Sequence, residues 1–132
     1  MNNFTNNKNQ DIALLLLRIG VGVIFIYAGW SKLTGIEGAH EFFVKIGIPF
    51  AGLMVWVVGI VEFVGGILVL AGAYIRIPAI LLAIIMLVAI LTTKLGESFS
   101  AYRLDMMLLL VNVAFILIGA GAYSVDEKLK SS

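Results

Sequence analysis

The sequence contains no cysteine and a single histidine, His40, among its 132 residues. Without thiols the chain can form no disulfide, carry out no thiol redox chemistry and hold no iron–sulfur cluster. One histidine cannot supply both ligands of a bis-histidine haem, and we predict no metal site. Electrons for any redox reaction would therefore have to come from a partner protein or from a bound organic cofactor.

Charge is scarce as well, at 13% of residues, whereas hydrophobic residues make up 61% and the mean hydropathy is +1.08. Soluble domains are about half apolar and a quarter charged, so this composition is typical of a membrane protein. The net charge of +1 gives no indication of a nucleic-acid partner. The length corresponds to one domain.

Long apolar runs dominate the chain. The four longest lie at residues 12–33, 49–72, 77–95 and 104–122. Each approaches the roughly 20 residues that cross a hydrocarbon core, and a backbone in lipid must satisfy its own hydrogen bonds, which favours helices. The predicted fold is an all-α transmembrane four-helix bundle at residues 12–123. Polar tails are predicted at residues 1–11 and 124–132.

The connection between the first two runs carries a helical pattern of its own. Thr34 and Glu37 have the spacing of a capping box, and apolar residues then recur at helical spacing opposite charged ones. We predict a short amphipathic helix at the membrane surface, with a plain loop as the alternative. Ser124 and Glu127 repeat the capping-box spacing and predict a brief helix in the C-terminal tail.

Four spans would place both termini on one side of the membrane. Lysines and arginines are divided evenly between the two sides, and only Arg18 tips the balance toward the terminal side. The positive-inside rule therefore favours cytoplasmic termini in a prokaryotic inner membrane.

Charged residues inside the apolar runs are the candidate functional residues. One helix face carries residues that recur every three or four positions: Arg18, Gly22, Phe25, Gly29 and Lys32. Glycines on such a stripe let another helix approach closely, so this face is predicted to point into the bundle.

Glu62 lies near the middle of the second run, between Gly59 and Gly66 on one face. An unpaired carboxylate there would be protonated or would cost several kcal/mol. Arg18 and Glu62 lie roughly 9 Å and 15 Å from the terminal side, an offset that an arginine side chain can bridge. We predict a direct or water-bridged Arg18–Glu62 ion pair, with a structural or a functional role.

A second polar stripe, made of Asp105, Asn112 and Gly119, repeats every seven residues in the fourth run. Asp105 has several possible cationic partners near the same membrane face, namely Lys32, Lys94 and Arg103. Lys32, which ends the first run, is the favoured one. Asn112 lies deeper, where hydrogen bonding between helices is the favoured role.

Aromatic residues cluster toward that membrane face, and most fit an interfacial belt. Tyr27 and Trp56 lie deeper and are candidates for the wall of a pocket that takes an apolar ligand such as a quinone. The ligand-binding candidates are Arg18, Glu62, Lys32, Asp105, Tyr27, Trp56 and Asn112. The predicted helix-packing glycines are Gly22, Gly29, Gly59, Gly66 and Gly119. No known catalytic motif is present, so no catalytic residue is assigned.

The order and spacing of these motifs resemble those of the DoxX family of small four-helix membrane proteins. The resemblance rests on "LLLLRIGVGVIFIYAGWSKL", "GIP", "VEFVGGILVLAGAYIRIPAILLAIIMLVAI" and "RLDMMLLLVNVAFILIGAGAYSVD", and it runs from about Leu14 to Asp126. Residues that match the family pattern are Arg18, Gly29, Lys32, Glu62, Gly65, Gly66, Gly72, Arg76, Asp105, Gly119, Gly121, Ser124 and Asp126.

The resemblance implies a membrane bundle associated with respiratory or redox assemblies, such as archaeal quinol oxidase, thiosulfate:quinone oxidoreductase and oxidative-stress complexes. The fold also resembles that of thiol–quinone membrane oxidoreductases, whose chemistry requires cysteines that this chain lacks. We therefore expect a redox-accessory membrane protein that binds a quinone or another apolar ligand beside buried charges and works with a partner oxidoreductase.

A non-catalytic membrane scaffold or assembly subunit is the alternative, and a small-solute carrier ranks below it, since four helices are few for a complete pathway. Whether the chain is an enzyme stays open, with an accessory or binding subunit favoured over an autonomous enzyme. The expected partners are membrane lipid, a redox partner protein and a second copy of the chain. A quinone is the candidate cofactor, with no covalent or metal cofactor expected.

Overall fold

A computed structural model describes residues 8–94 and 98–131, and the elements in these ranges are all helical. They are α1 (Lys8–Thr34), α2 (Ile36–Lys45), α3 (Ala51–Ala71), α4 (Arg76–Ala89), α5 (Phe99–Ile118) and α6 (Val125–Ser131). A π-helical segment, Ile90–Lys94, continues α4. By length and composition, α1 and α3 could each cross a membrane. The prediction of an all-α fold is confirmed.

The helix ends differ from those predicted by apolarity, because helical hydrogen bonding extends through polar residues. The first helix begins at Lys8, about one turn before the predicted start at residue 12, and the last long helix begins at Phe99 rather than at residue 104. That helix ends early, at Ile118, because Gly119 takes a φ of 93° that breaks the helical ladder.

The connection between the first two long helices is a helix rather than a loop. Phe43 is buried on its apolar face, while Glu37 and Glu41 on the other face are exposed. The predicted capping box at its start is wrong: Gly35 occupies the N-cap, and the Thr34 hydroxyl donates to the Trp30 carbonyl of the preceding helix.

The capping residue predicted for the C-terminal tail is present. The Ser124 hydroxyl oxygen accepts the backbone N–H of Glu127 at 3.2 Å, at the start of α6.

The closest helix packing in the bundle is between α1 and α3, which run antiparallel. A Cβ atom on Gly22 would lie 2.9 Å from the carbonyl oxygen of Gly66, and one on Gly29 would lie 2.7 Å from that of Gly59. Only glycine allows this approach, so the stripe determines how the two helices dock.

The second close helix pair is α4 with α5, and the two pairs contact each other less extensively. Their shared core includes Val69, Ile75, Leu82 and Phe115, all at most 1% exposed. This core lies toward the end of the bundle that carries the chain termini. The opposite end, beneath α2, is therefore where the two pairs leave space between them.

Candidate ligand-binding cleft

An apolar cleft of about 490 Å³ occupies the end of the bundle beneath α2. All five helices from α1 to α5 contribute to its wall, with Phe25, Phe43, Val61, Ile85 and Leu108 as representatives. The polar residues of this wall, within the described ranges, are Lys32, Glu62, Thr92 and Asp105. The cleft therefore has the character of a small-molecule site: a mostly apolar wall with a few polar groups.

An ion pair forms the polar part of the wall. The Lys32 ammonium nitrogen lies 2.8 Å from Glu62 Oε1, and the two side chains are 27% and 3% exposed. Asp105 lines the same cleft, within electrostatic range of the Glu62 carboxyl group. The sequence predicts Asp105 as the partner of Lys32, but the ion pair of Lys32 is with Glu62.

The predicted Arg18–Glu62 ion pair is wrong. Arg18 is fully buried near the termini, where Nη1 donates to the Leu70 carbonyl at 3.1 Å and Nη2 donates to the Tyr123 carbonyl. The Leu70 carbonyl belongs to the last turn of α3, whose final carbonyls lack helical partners. Arg18 thus supplies a hydrogen-bond donor to the C-terminal end of α3 and connects it to the segment that follows α5.

The direction of the side chains explains why Glu62 pairs with Lys32. A helical Cα–Cβ bond tilts toward the N-terminus of its helix. The Lys32 side chain therefore leans back along α1 toward the level of Glu62, and the Glu62 side chain leans toward Lys32 because α3 runs the other way. Arg18 leans away from Glu62, toward the chain termini.

The surroundings of Arg18 form a compact terminal junction, made of Arg18, Gly72, Tyr123, Ser124 and Asp126. The Asp126 carboxylate accepts the backbone N–H groups of Tyr74 and Ile75, in the turn before α4, the second at 2.9 Å. The backbone N–H of Asp126 donates to the Gly72 carbonyl at 3.0 Å.

Glycine is required at one position of this junction. Gly72 has a φ of 71°, and a Cβ atom there would lie 2.6 Å from that of Ser124. The residue patterning does not predict this junction, although Gly72 and Asp126 are among the residues that match the family pattern.

The remaining candidates lie outside the cleft. Tyr27 and Trp56 are 72% and 49% exposed on the outer surface. Asn112 is fully buried, but its amide nitrogen donates to the Leu108 carbonyl of its own helix at 2.8 Å rather than across helices. Gly119 ends α5 beside the Arg76 guanidinium instead of packing between helices.

Three of the seven ligand-binding candidates, Lys32, Glu62 and Asp105, thus meet in the cleft. The contribution of α2 to its wall is not predicted from the sequence. The signal was present in the apolar face that carries Phe43 and Ile46, which line the cleft.

Comparison with known proteins decides the family. The DoxX family profile matches residues 13–95. The chain belongs to the DoxX family. "Putative oxidoreductase CatD" of Bacillus subtilis is 38% identical to this DoxX protein, over 91% of this chain and 89% of the relative. "Inner membrane protein YqjF" of Escherichia coli is 34% identical over 92% and 95% of the two chains.

A further relative is an uncharacterized membrane protein of Mycobacterium tuberculosis, 33% identical over 89% of this chain and 81% of its own length. No solved structure matches this DoxX protein. The relatives named as membrane proteins and the apolar helices together identify it as a multi-pass membrane protein.

Proposed function

We propose that this DoxX protein is a four-span membrane subunit that binds a quinone, or another apolar ligand with a polar head, in the cleft beneath α2. In this proposal it works with a partner oxidoreductase. The spans are α1, α3, α4 with its π-helical segment, and α5, while α2 lies at the membrane surface. α5 has 20 residues, and α4 with its continuation has 14 and 5, close to the roughly 20 that cross a bilayer.

The observation that carries the proposal is the Lys32–Glu62 ion pair in the wall of an otherwise apolar cleft. A lysine ammonium has three N–H donors, and the bond to Glu62 uses one of them. A quinone carbonyl can accept another, since Lys32 is partly exposed. Ionisable groups inside a membrane are functional candidates by default.

The reaction that this geometry suits is proton-coupled reduction or oxidation of the ligand. Reducing a quinone to a quinol takes two electrons and two protons. The cleft wall offers three groups that can exchange protons with the ligand: the Lys32 ammonium and the carboxyl groups of Glu62 and Asp105. The electrons would be exchanged with the partner oxidoreductase, and the naming of CatD as an oxidoreductase supports a redox setting.

The experiment is to purify the protein from its native membrane in mild detergent and to measure the quinone extracted per protein molecule. We expect near-stoichiometric quinone in the wild type and its loss in Lys32→Met. Lys45→Met is the matched control, because Lys45 is exposed on α2 and lies outside the cleft. A folded wild type that releases neither quinone nor another apolar ligand in stoichiometric amount would contradict the proposal and favour the scaffold function.

The arrangement of spans is tested with single cysteines, which the native chain lacks. In intact cells a membrane-impermeant maleimide should label Glu41→Cys, on α2, but not Asn9→Cys or Lys128→Cys, near the two termini. Permeabilised cells are the positive control, in which all three should react. Labelling of all three variants, or of none, in intact cells would contradict the four-span arrangement.

A further inference from the structure

We infer that the cleft opens sideways into the bilayer between α3 and α4, and that its ligand is an amphiphile. The polar head reaches the Lys32–Glu62 pair while the apolar tail leaves through this lateral opening into the lipid. The inference rests on the proposed function, because it assumes that a ligand binds in the cleft beneath α2.

The first observation is that the close contact between α3 and α4 is followed along both helices by residues that line the cleft. Near the turn that joins them they pack closely, and a Cβ atom on Gly65 would meet the end of the Leu82 side chain at 3.4 Å. Farther from that turn, Val61 of α3 and Ile85 of α4 both line the cleft. The space between the two helices is therefore continuous with the cleft.

The second observation is the exposure of the residues at the edge of this gap. Val57 on α3 and Ile84 on α4 line the cleft and are nevertheless 41% and 52% exposed. By contrast, Ala79, on the other face of α4, is fully buried. The cleft thus reaches the outer surface of the bundle, which in a membrane-spanning bundle faces lipid chains.

The third observation is that α2 covers the opposite end of the cleft. Phe43 is 8% exposed and lines the cleft from α2, together with the half-buried Ile46. The direct route from water is therefore covered by apolar side chains. Lys32 lies in the last turn of α1, near the predicted membrane surface, which is the depth of the polar head of an amphiphile.

The size of the cleft agrees with this division of the ligand. A cleft of about 490 Å³ lies within the range that holds one drug-sized molecule. It holds a quinone ring and the first part of a tail, and the rest of a long tail must continue outside. The gap beside Ile84 and Val57 gives that tail an apolar exit.

The test measures equilibrium binding in lipid nanodiscs with two probes: a benzoquinone that carries a decyl tail and the same quinone with a methyl group in its place. Ile84→Trp fills the opening. Ile80→Trp is the matched control, because Ile80 is 43% exposed on the same helix and lies outside the cleft. Partitioning into the nanodisc is common to all variants, so differences between variants report the cleft.

We expect Ile84→Trp to weaken decyl-probe binding by about tenfold, the effect of a typical steric clash, and to change methyl-probe binding by less than about threefold. The control should change neither. Val57→Trp, across the opening, should reproduce the result if the first variant folds poorly. Equal loss of both probes, or no loss of either, would overturn the lateral opening.

Two further results separate this inference from the proposed function. If Lys32→Met leaves both probes bound while Ile84→Trp still excludes only the decyl probe, the lateral opening stands and the head site fails. If the wild type binds neither probe, both fail. A change of oligomeric state in Ile84→Trp but not in the control would identify the opening as a subunit interface and overturn the inference.

Discussion

Two double-mutant cycles decide which charges are coupled inside the bundle. In the first, Lys32→Leu leaves the Glu62 carboxylate, which is 3% exposed, without its partner. Removing one member of a buried pair costs about 3–5 kcal/mol, and we take about 2–3 kcal/mol because Lys32 itself is 27% exposed. Replacing both residues by leucine removes the stranded charge, so the double variant should lose about 1–3 kcal/mol less than the sum of the single losses.

The second cycle combines Arg18→Leu with Glu62→Leu. Arg18→Leu removes two charge-assisted hydrogen bonds to backbone carbonyls, each contributing about 1.5–3 kcal/mol. These bonds do not involve Glu62, and Leu70, which accepts one of them, lies about 12 Å along α3 from Glu62. Substitutions separated by more than about 7–10 Å usually add, so the two losses should sum to within about 0.5 kcal/mol.

The assay is reversible unfolding of detergent-solubilised protein by SDS, followed by far-UV circular dichroism. The wild type, three single variants and two double variants complete both cycles. Coupling above about 1 kcal/mol between Arg18 and Glu62, together with additivity between Lys32 and Glu62, would refute the assignment of partners and the argument from side-chain direction.

Three further predictions concern the helix contacts and the terminal junction, and each is measured as a change in the free energy of unfolding. Gly29→Ala places a methyl group against the α3 backbone and should cost about 1–3 kcal/mol, whereas Gly20→Ala, with nothing within 4 Å, should not destabilise the protein. Equal losses in the two variants would contradict the glycine contact. Gly72→Ala should cost more than about 1 kcal/mol because the φ of residue 72 is 71°. The control Gly38→Ala, in an exposed helical turn, should stabilise the protein by up to about 1 kcal/mol. A neutral Gly72→Ala variant would refute the requirement for glycine at this position. Asp126→Ala leaves two backbone N–H groups unpaired, so it should cost about 1–3 kcal/mol and speed amide exchange in the turn before α4; unchanged exchange would exclude that capping role.

Much of the architecture follows from local pattern. An apolar run in lipid has few ways to satisfy its backbone, so run lengths alone predict helices. The glycine spacing of Gly22, Gly29, Gly59 and Gly66 predicts two close-packing faces, and the structure brings these two faces together. The amphipathic period after Thr34 likewise predicts the helix α2.

The sequence predicted the site less completely than the fold, because the hydrogen bonds that place Arg18 are made to backbone groups. Arg18 donates to the backbone carbonyl oxygens of Leu70 and Tyr123. Every residue has such a carbonyl, so the residue type does not indicate which one accepts. Counting residues from a membrane face also predicts only the depth of the backbone. It does not include the direction in which the side chain then extends. Because the backbone acceptors and the side-chain direction were both left out, Glu62 was predicted as the partner of Arg18.

The sequence by itself determined that this is a cysteine-free, helical membrane protein of the DoxX type with buried charges on glycine-lined faces. Composition and periodicity are sufficient to predict these features, because each helix in lipid must be apolar and must satisfy its own backbone hydrogen bonds. Only the tertiary structure decided that Lys32 pairs with Glu62, that Arg18 fastens the terminal junction, and that α2 covers an apolar cleft. Those outcomes depend on helix register, on side-chain direction and on where two helix pairs separate, which are properties of the packed bundle.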